Sequence, residues 1–299
     1  MKVKTYRLSL VLMVSVALIS CNQDKKPTQS KLDKDLEVEL DTTSKMIKFE
    51  NSLFSLPSPY QLSILIKDIG SDYNSELLNP TENHKNYTNL FKKSVNLGIY
   101  GADLAYLNIY KQSPSAISYF SVIKILSQDL GLSAAISPSI MERIENNVDN
   151  QDSLLFIMSS LYRDVDFYLK ENRRQREGGL VLAGGWIEAM HFLTKLSLET
   201  KNDLLIQRVG ENKQPLENLI KILSPYYNES EDIKALIDSL IDLAYEFDAV
   251  ETTYEYKKPN TIPESRLTKV HSVTKIVVSN QVLQIIDTKI SKIRDLLIK

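Results

Sequence analysis

The stretch REGGLVLAGGWIEAMHF, residues 176 to 192, sets the strongest limit on what this chain can fold into. Between Leu180 and Leu193 its only clearly polar side chains are Glu188 and His191, with Thr194 just beyond. A helix that is apolar on nearly every side must be covered on nearly every side, so the pattern predicts a central helix near residues 178–198 with others wrapped around it. Glycine inside a helix costs about 1 kcal/mol relative to alanine. Gly184 and Gly185 therefore need a compensating contact, and close approach of a neighbouring backbone supplies one. The segment NLGIYGADLAY is a natural neighbour, because Gly98, Gly101, Ala102 and Ala105 leave a similar groove. A phosphate loop is the competing reading, but GGLVLAGG has neither the Gly-x-Gly-x-x-Gly order nor a Gly-Lys-Ser/Thr ending.

The rest of the chain is punctuated like a helical protein. Ser-Pro recurs at Ser58-Pro59, Ser113-Pro114, Ser137-Pro138 and Ser224-Pro225; serine caps free amides and proline suits a first helical turn. Ser58 with Gln61, Asn79 with Glu82 and Thr261 with Glu264 have capping-box spacing. Apolar residues fall on single helical faces at Leu62, Leu65, Ile66 and Ile69, at Leu154, Met158, Leu161, Val165 and Tyr168, and at Val282, Ile286, Ile293 and Leu297. VHSVTKIVV, residues 270 to 278, is the one stretch rich enough in branched residues to be extended, and Ser279 after it can cap a final helix. The expected fold is all-α: one domain over 55–299, an irregular multi-helix bundle or helical array.

The amino-terminal segment reads as an export signal. MKVKTYR is basic, LSLVLMVSVALI is a short apolar run, and LISC precedes a polar stretch. Ser20 before Cys21 resembles the lipobox of bacterial lipoproteins, in which the cysteine is acylated and becomes the first residue. Cys21 is the only cysteine, so in an oxidising compartment it has no disulfide partner within the chain and lipid attachment explains it better. The apolar run is short of the roughly 20 residues that span a bilayer, which argues against an uncleaved anchor. The expected organisation is a signal over 1–20 and a lipidated tether over 21–54, reaching roughly 30 Å as a coil. Asn22 after Cys21 differs from the aspartate-type inner-membrane retention signal and favours the outer membrane.

The segments NLGIYGADLAY and LAGGWIEA resemble a family of all-helical lipoproteins from Gram-negative cell envelopes. That family has no established activity, so the resemblance implies fold and location and transfers no catalytic residue.

The formal charge of −2 becomes −5 without Lys2, Lys4 and Arg7, a balance that does not invite nucleic acid. Glu188 and His191 form a Glu-x-x-His pair, half of a di-iron carboxylate set, but the second pair is missing and the chain has three histidines; no metal or other cofactor is expected. There is no Gly-x-Ser-x-Gly elbow. Asp238, Asp242 and Glu246 recur every four residues as a solvated helix face would. The fifteen tyrosines outnumber eight phenylalanines; Tyr100, Tyr106, Tyr110, Tyr119, Tyr226 and Tyr227 suit partner surfaces and half-buried helix faces alike. The expected role is therefore that of an anchored binding or scaffolding component with an envelope protein as partner. The alternative is a small-molecule or glycan binder, with a pocket between residues 98–110 and 178–193 formed by Asp103, Tyr106, Trp186, Glu188 and His191.

Overall fold

The computed structural model describes residues 46–49, 52–55 and 59–299, except 133–137, 148–149, 151–152, 154–156, 158–170 and 264–265. The export signal, Cys21, Ser58, Ser137, Glu264 and most of the stripe from Leu154 to Tyr168 lie outside the described residues. The chain divides after Thr42 into two units. The larger begins earlier than the expected tether end at residue 54: strands β1 (Met46–Phe49) and β2 (Ser52–Ser55) pair antiparallel within it.

Its described helices are α1 (Pro59–Asp68), α2 (Leu90–Ile109), α3 (Ser113–Asp129), α4 (Pro138–Asn146), α5 (Gln175–Thr200), α6 (Asp203–Gly210), α7 (Lys213–Leu223), α8 (Glu231–Glu246) and α9 (Asn280–Ile298). The fold is all-α in class, and α5 is its centre: α1, α2, α6, α7 and α9 all lie against it, while α3 packs on α2 and α8 on α7 and α9. From Ala183 to Leu193 every residue of α5 is buried. The expected apolar helix is therefore present and enclosed.

The glycines are where two backbones meet. A Cβ on Gly98 of α2 would stand 2.7 Å from the amide nitrogen of Gly185, and one on Gly184 would stand 2.8 Å from the carbonyl carbon of Val95. These are backbone atoms, which cannot swing aside as a side chain can. Absence of a side chain at both positions lets α2 and α5 touch main chain to main chain, and the flanking Val95, Leu97, Leu180 and Ile187 are buried around the crossing.

Capping follows side-chain chemistry more than the Ser-Pro pattern. Asn89 Oδ1 accepts from Lys92 N at 2.8 Å, Ser230 Oγ from Ile233 N at 3.2 Å, and Ser279 Oγ from Val282 N at 3.3 Å, starting α2, α8 and α9. Ser224-Pro225 opens only a 3₁₀ turn, Ser224–Tyr226. Asn79 caps nothing: the 3₁₀ turn Thr81–Asn86 starts from Pro80 with no side-chain cap, and Asn79 is drawn into the core. Thr261 lies in a strand.

The expected strand near residues 270–278 belongs to a longer device. β3 (Glu251–Glu255) pairs with β6 (Val273–Val277), and between them β4 (Asn260–Ile262) pairs with β5 (Leu267–Lys269), all antiparallel. Two nested hairpins make one arm. Its root is held by Ile276, Val278 and Val250 around Gly210 at the end of α6; beyond that nearly every described residue is exposed.

Candidate functional site

Where α2, α5 and α9 converge, the apolar core is interrupted by charge. Arg294 of α9 donates Nε to Glu188 Oε2 at 2.5 Å and Nη2 to Glu188 Oε1 at 2.7 Å, a two-pronged contact that suits the planar guanidinium. Nη2 also donates to the Leu77 carbonyl at 2.9 Å. Burial opposes the Arg294 charge, and Glu188 more than offsets it, raising the pKa.

Asp103 of α2 completes the cluster and is wholly buried. Burial, then the charge of Glu188, holds its carboxyl well above the usual range, while Arg294 pulls the other way. Its Oδ2 accepts from the backbone N–H of Asn79 at 3.4 Å, and its Oδ1 has no donor. Kept protonated, Asp103 is a neutral acid near the Glu188–Arg294 pair. One cation then faces one carboxylate and one neutral acid.

An amide and phenol network binds the same region to the carboxyl end of α9. Asn79 Nδ2 donates to Tyr87 Oη at 3.0 Å, and Tyr87 Oη donates to the Ile298 carbonyl at 3.2 Å. Asn96 Nδ2 donates to the Leu297 carbonyl at 2.9 Å, and Lys92 Nζ to the Leu296 carbonyl at 2.5 Å. The carbonyls left unpaired at a helix end are thus satisfied by side chains on α2 and the loop before it.

Of the five residues expected to bind a ligand, Asp103 and Glu188 come together and the other three do not join them through any described hydrogen bond. Tyr106 is buried, accepts from Asn74 N at 3.0 Å and stacks against Tyr73, Tyr110 and Phe192. Trp186 donates Nε1 to Asn212 Oδ1 at 3.1 Å. His191 is buried, its Nδ1 without a hydrogen-bond partner, and burial followed by the Arg294 and Lys195 charges pushes its pKa down to about 3. All five are buried side chains. The place a ligand would take between α2 and α5 is held partly by touching backbones and partly by the guanidinium of Arg294. A surface groove of about 210 Å³ lies elsewhere, between the starts of α2 and α8 beside Phe91, Arg176 and Asp232; ligand sites usually enclose about 300 to 1,000 Å³.

Among the described residues no group of three or more His, Cys, Asp or Glu side chains is placed to hold a metal. Asp242 and Glu246 instead pair with Lys289 of α9 at 2.8 and 2.7 Å, and Asp238 accepts from Tyr227 Oη at 3.0 Å.

Sequence reasoning missed Arg294, Asn79, Asn96 and Tyr87. The available signal was a charge in an apolar stripe: Leu283, Ile286, Ile290, Ile293 and Leu297 are buried along α9, and Asp287 and Arg294 share that face. Asp287 is likewise met from α5, accepting from Thr194 Oγ1 and Lys195 Nζ, both at 2.9 Å.

Two opposed titrations follow. Unfolded His191 takes a proton below its ordinary value of 6.5, whereas the folded ring resists to about 3, so its contribution is full above 6.5 and is lost as pH falls. Folded Asp103 keeps its proton above the ordinary 3.8, so its contribution is lost as pH rises from there. Each slope reaches at most about 1.4 kcal/mol per pH unit, and with opposite signs they cancel where both operate. Denaturant midpoints measured between about pH 4 and pH 6.5 should therefore diverge: relative to the parent, His191→Gln gains stability on acidification and Asp103→Asn loses it. Parallel curves for all three chains would refute the two assignments.

No protein family, curated protein or solved structure matches the chain.

Proposed function

We propose that this chain is a cell-envelope lipoprotein, anchored through Cys21 and favouring the outer membrane, that acts as a binding or scaffolding component through its exterior. One contrast supports this reading. The convergent polar groups inside the fold are buried and answered by the chain's own Arg294, whereas Tyr254, Tyr256, Leu267, Val270 and Val273 stand exposed on the arm. A ligand site needs open polar groups; a recognition surface needs exposed apolar ones. The resemblance of NLGIYGADLAY and LAGGWIEA to envelope lipoproteins points the same way, and no nucleic acid is implicated.

Two measurements test it. Cys21→Ala should abolish acyl labelling and release or mislocalise the protein while the melting temperature of the body stays unchanged. Crosslinking in intact cells through a photoreactive residue at Val270 should give adducts, with envelope protein or with lipid, that a photoreactive residue at Tyr245, exposed on α8, does not give. Acyl labelling that persists without Cys21, or equal crosslinking at both positions, would overturn the proposal.

A further inference from the structure

We infer that the arm formed by β3 to β6 docks on the surface of an anionic phospholipid bilayer. The inference rests on the reading that the chain is held at a membrane, and it assigns the partner of the arm.

Charge is the first ground. From Glu251 to Val277 the arm holds Lys257, Lys258, Arg266, Lys269 and Lys275 against Glu251, Glu255 and Glu264, a net of +2 in a chain whose total is −2. Everything else therefore carries −4. An anionic surface attracts the arm and repels the body, which orients the molecule as well as holding it.

Side-chain type is the second. The cations share the arm with Tyr254 and Tyr256, 63% and 68% exposed, and with Val270 and Val273, 70% and 48% exposed; Lys257 follows Tyr256 and Lys269 precedes Val270. A tyrosine with an apolar ring and a polar tip settles at the headgroup level, and a lysine stem lies along apolar surface while its ammonium stays in water. Contact surfaces between proteins are instead depleted in lysine, and four of the five cations here are lysines. Only Lys257 among them has a described ion pair, a 3.4 Å contact with Glu255 in which both side chains are at least half exposed, so the charge is available at little cost.

The fold supplies the third ground. The arm's root is fixed by Ile276 and Val278 packed at Gly210, while beyond the root both faces of two-stranded ribbons meet solvent. A short ribbon standing from a rigid base can lie on a flat surface without disturbing the helices.

The full chain is purified, a Tyr256→Trp variant is made, and it is mixed with vesicles containing brominated phosphatidylcholine, either alone or with an equal share of phosphatidylglycerol. Trp186 is buried and gives a constant background that the parent chain measures. Quenching of the new tryptophan is expected in the anionic vesicles, to be weak in the neutral ones, and to fall as salt is raised. Lys257→Glu, Lys258→Glu and Lys269→Glu combined should reduce it about tenfold or more, since each cation near such a surface favours binding by roughly fivefold; an unchanged circular dichroism spectrum keeps that comparison valid. Equal quenching in both vesicles overturns the inference. So does absent quenching in a chain that nevertheless floats with the vesicles, a result that leaves the lipid anchor standing. Quenching confined to anionic vesicles in a chain that carries no acyl group upholds the arm and removes the anchor.

Discussion

Gly184→Ala and Gly98→Ala, each a single added methyl, should destabilise the protein even though alanine is the better helix former. The new Cβ would stand within 3.0 Å of main-chain atoms of the facing helix, so the helices must separate along their length. Overpacking of this kind costs about 1 to 3 kcal/mol and occasionally more, and two backbones in contact leave the least room to relax. Better helix propensity returns about 1 kcal/mol. A net loss of about 2 kcal/mol corresponds to a fall in melting temperature of about 4 to 8 °C for a body of this size. Gly210→Ala is the control: its Cβ meets the methyls of Ile276, Val278 and Val250, which are side-chain ends and can shift, so the cost is smaller. Gly184→Leu should be worse than alanine. A melting temperature unmoved by Gly184→Ala would mean that the two helices do not touch there.

The second large effect is an asymmetry within the buried charges. Arg294→Met leaves Glu188 without its cation in a dry interior, and removal of one partner from a buried pair typically costs about 3 to 5 kcal/mol. Glu188→Gln should cost less, because Asp103 stands beside the same guanidinium. Glu188 is the cause that follows burial in raising the Asp103 pKa, and without it the pull of Arg294 favours an ionised Asp103 as the counter-charge. Glu188→Gln combined with Asp103→Asn removes the carboxylate and the acid that could replace it, and its cost should exceed the sum of the two single costs. Guanidinium unfolding of the four chains near neutral pH measures this. Additive costs for the two carboxylate changes would show that Asp103 does not substitute.

The fold class, the central helix and the helix-to-helix role of the glycines were all legible in the sequence, for one physical reason. A helix apolar on every face and carrying bare backbone can be stable only inside others, so the residues 180–193 state their own surroundings. Ser279 was legible as a cap because capping is a contact between residues three apart. Arg294 was not legible as a core residue, since its partner lies 106 residues away and charged side chains at helix ends are commonly solvated. Asn79 misled in the same manner: its capping-box spacing with Glu82 is local, and its actual bonds to Tyr87, Asn96 and Asp103 are set by tertiary packing. The arm was half visible. Val273–Val277 carries the branched residues that mark a strand, while Glu251–Glu255 and Asn260–Ile262 are short and polar and find strand geometry only through their partners.

The clasp between α2 and the carboxyl end of α9 also sets an order of events. Its bonds join residues 201, 211 and 217 positions apart, and a chain emerges from synthesis amino end first. Glu188 and Asp103 therefore exist for more than a hundred residues of elongation with no guanidinium to meet them. During that interval α2 and α5 can find each other through the glycines, but closing the core around Glu188 would trap a charge without its counter-ion. Long-range contacts form late because loop closure precedes any reward. The three-helix junction is therefore the contact that waits for the end of the chain, when Arg294 reaches Glu188 and the last carbonyls of α9 meet Asn96 and Tyr87.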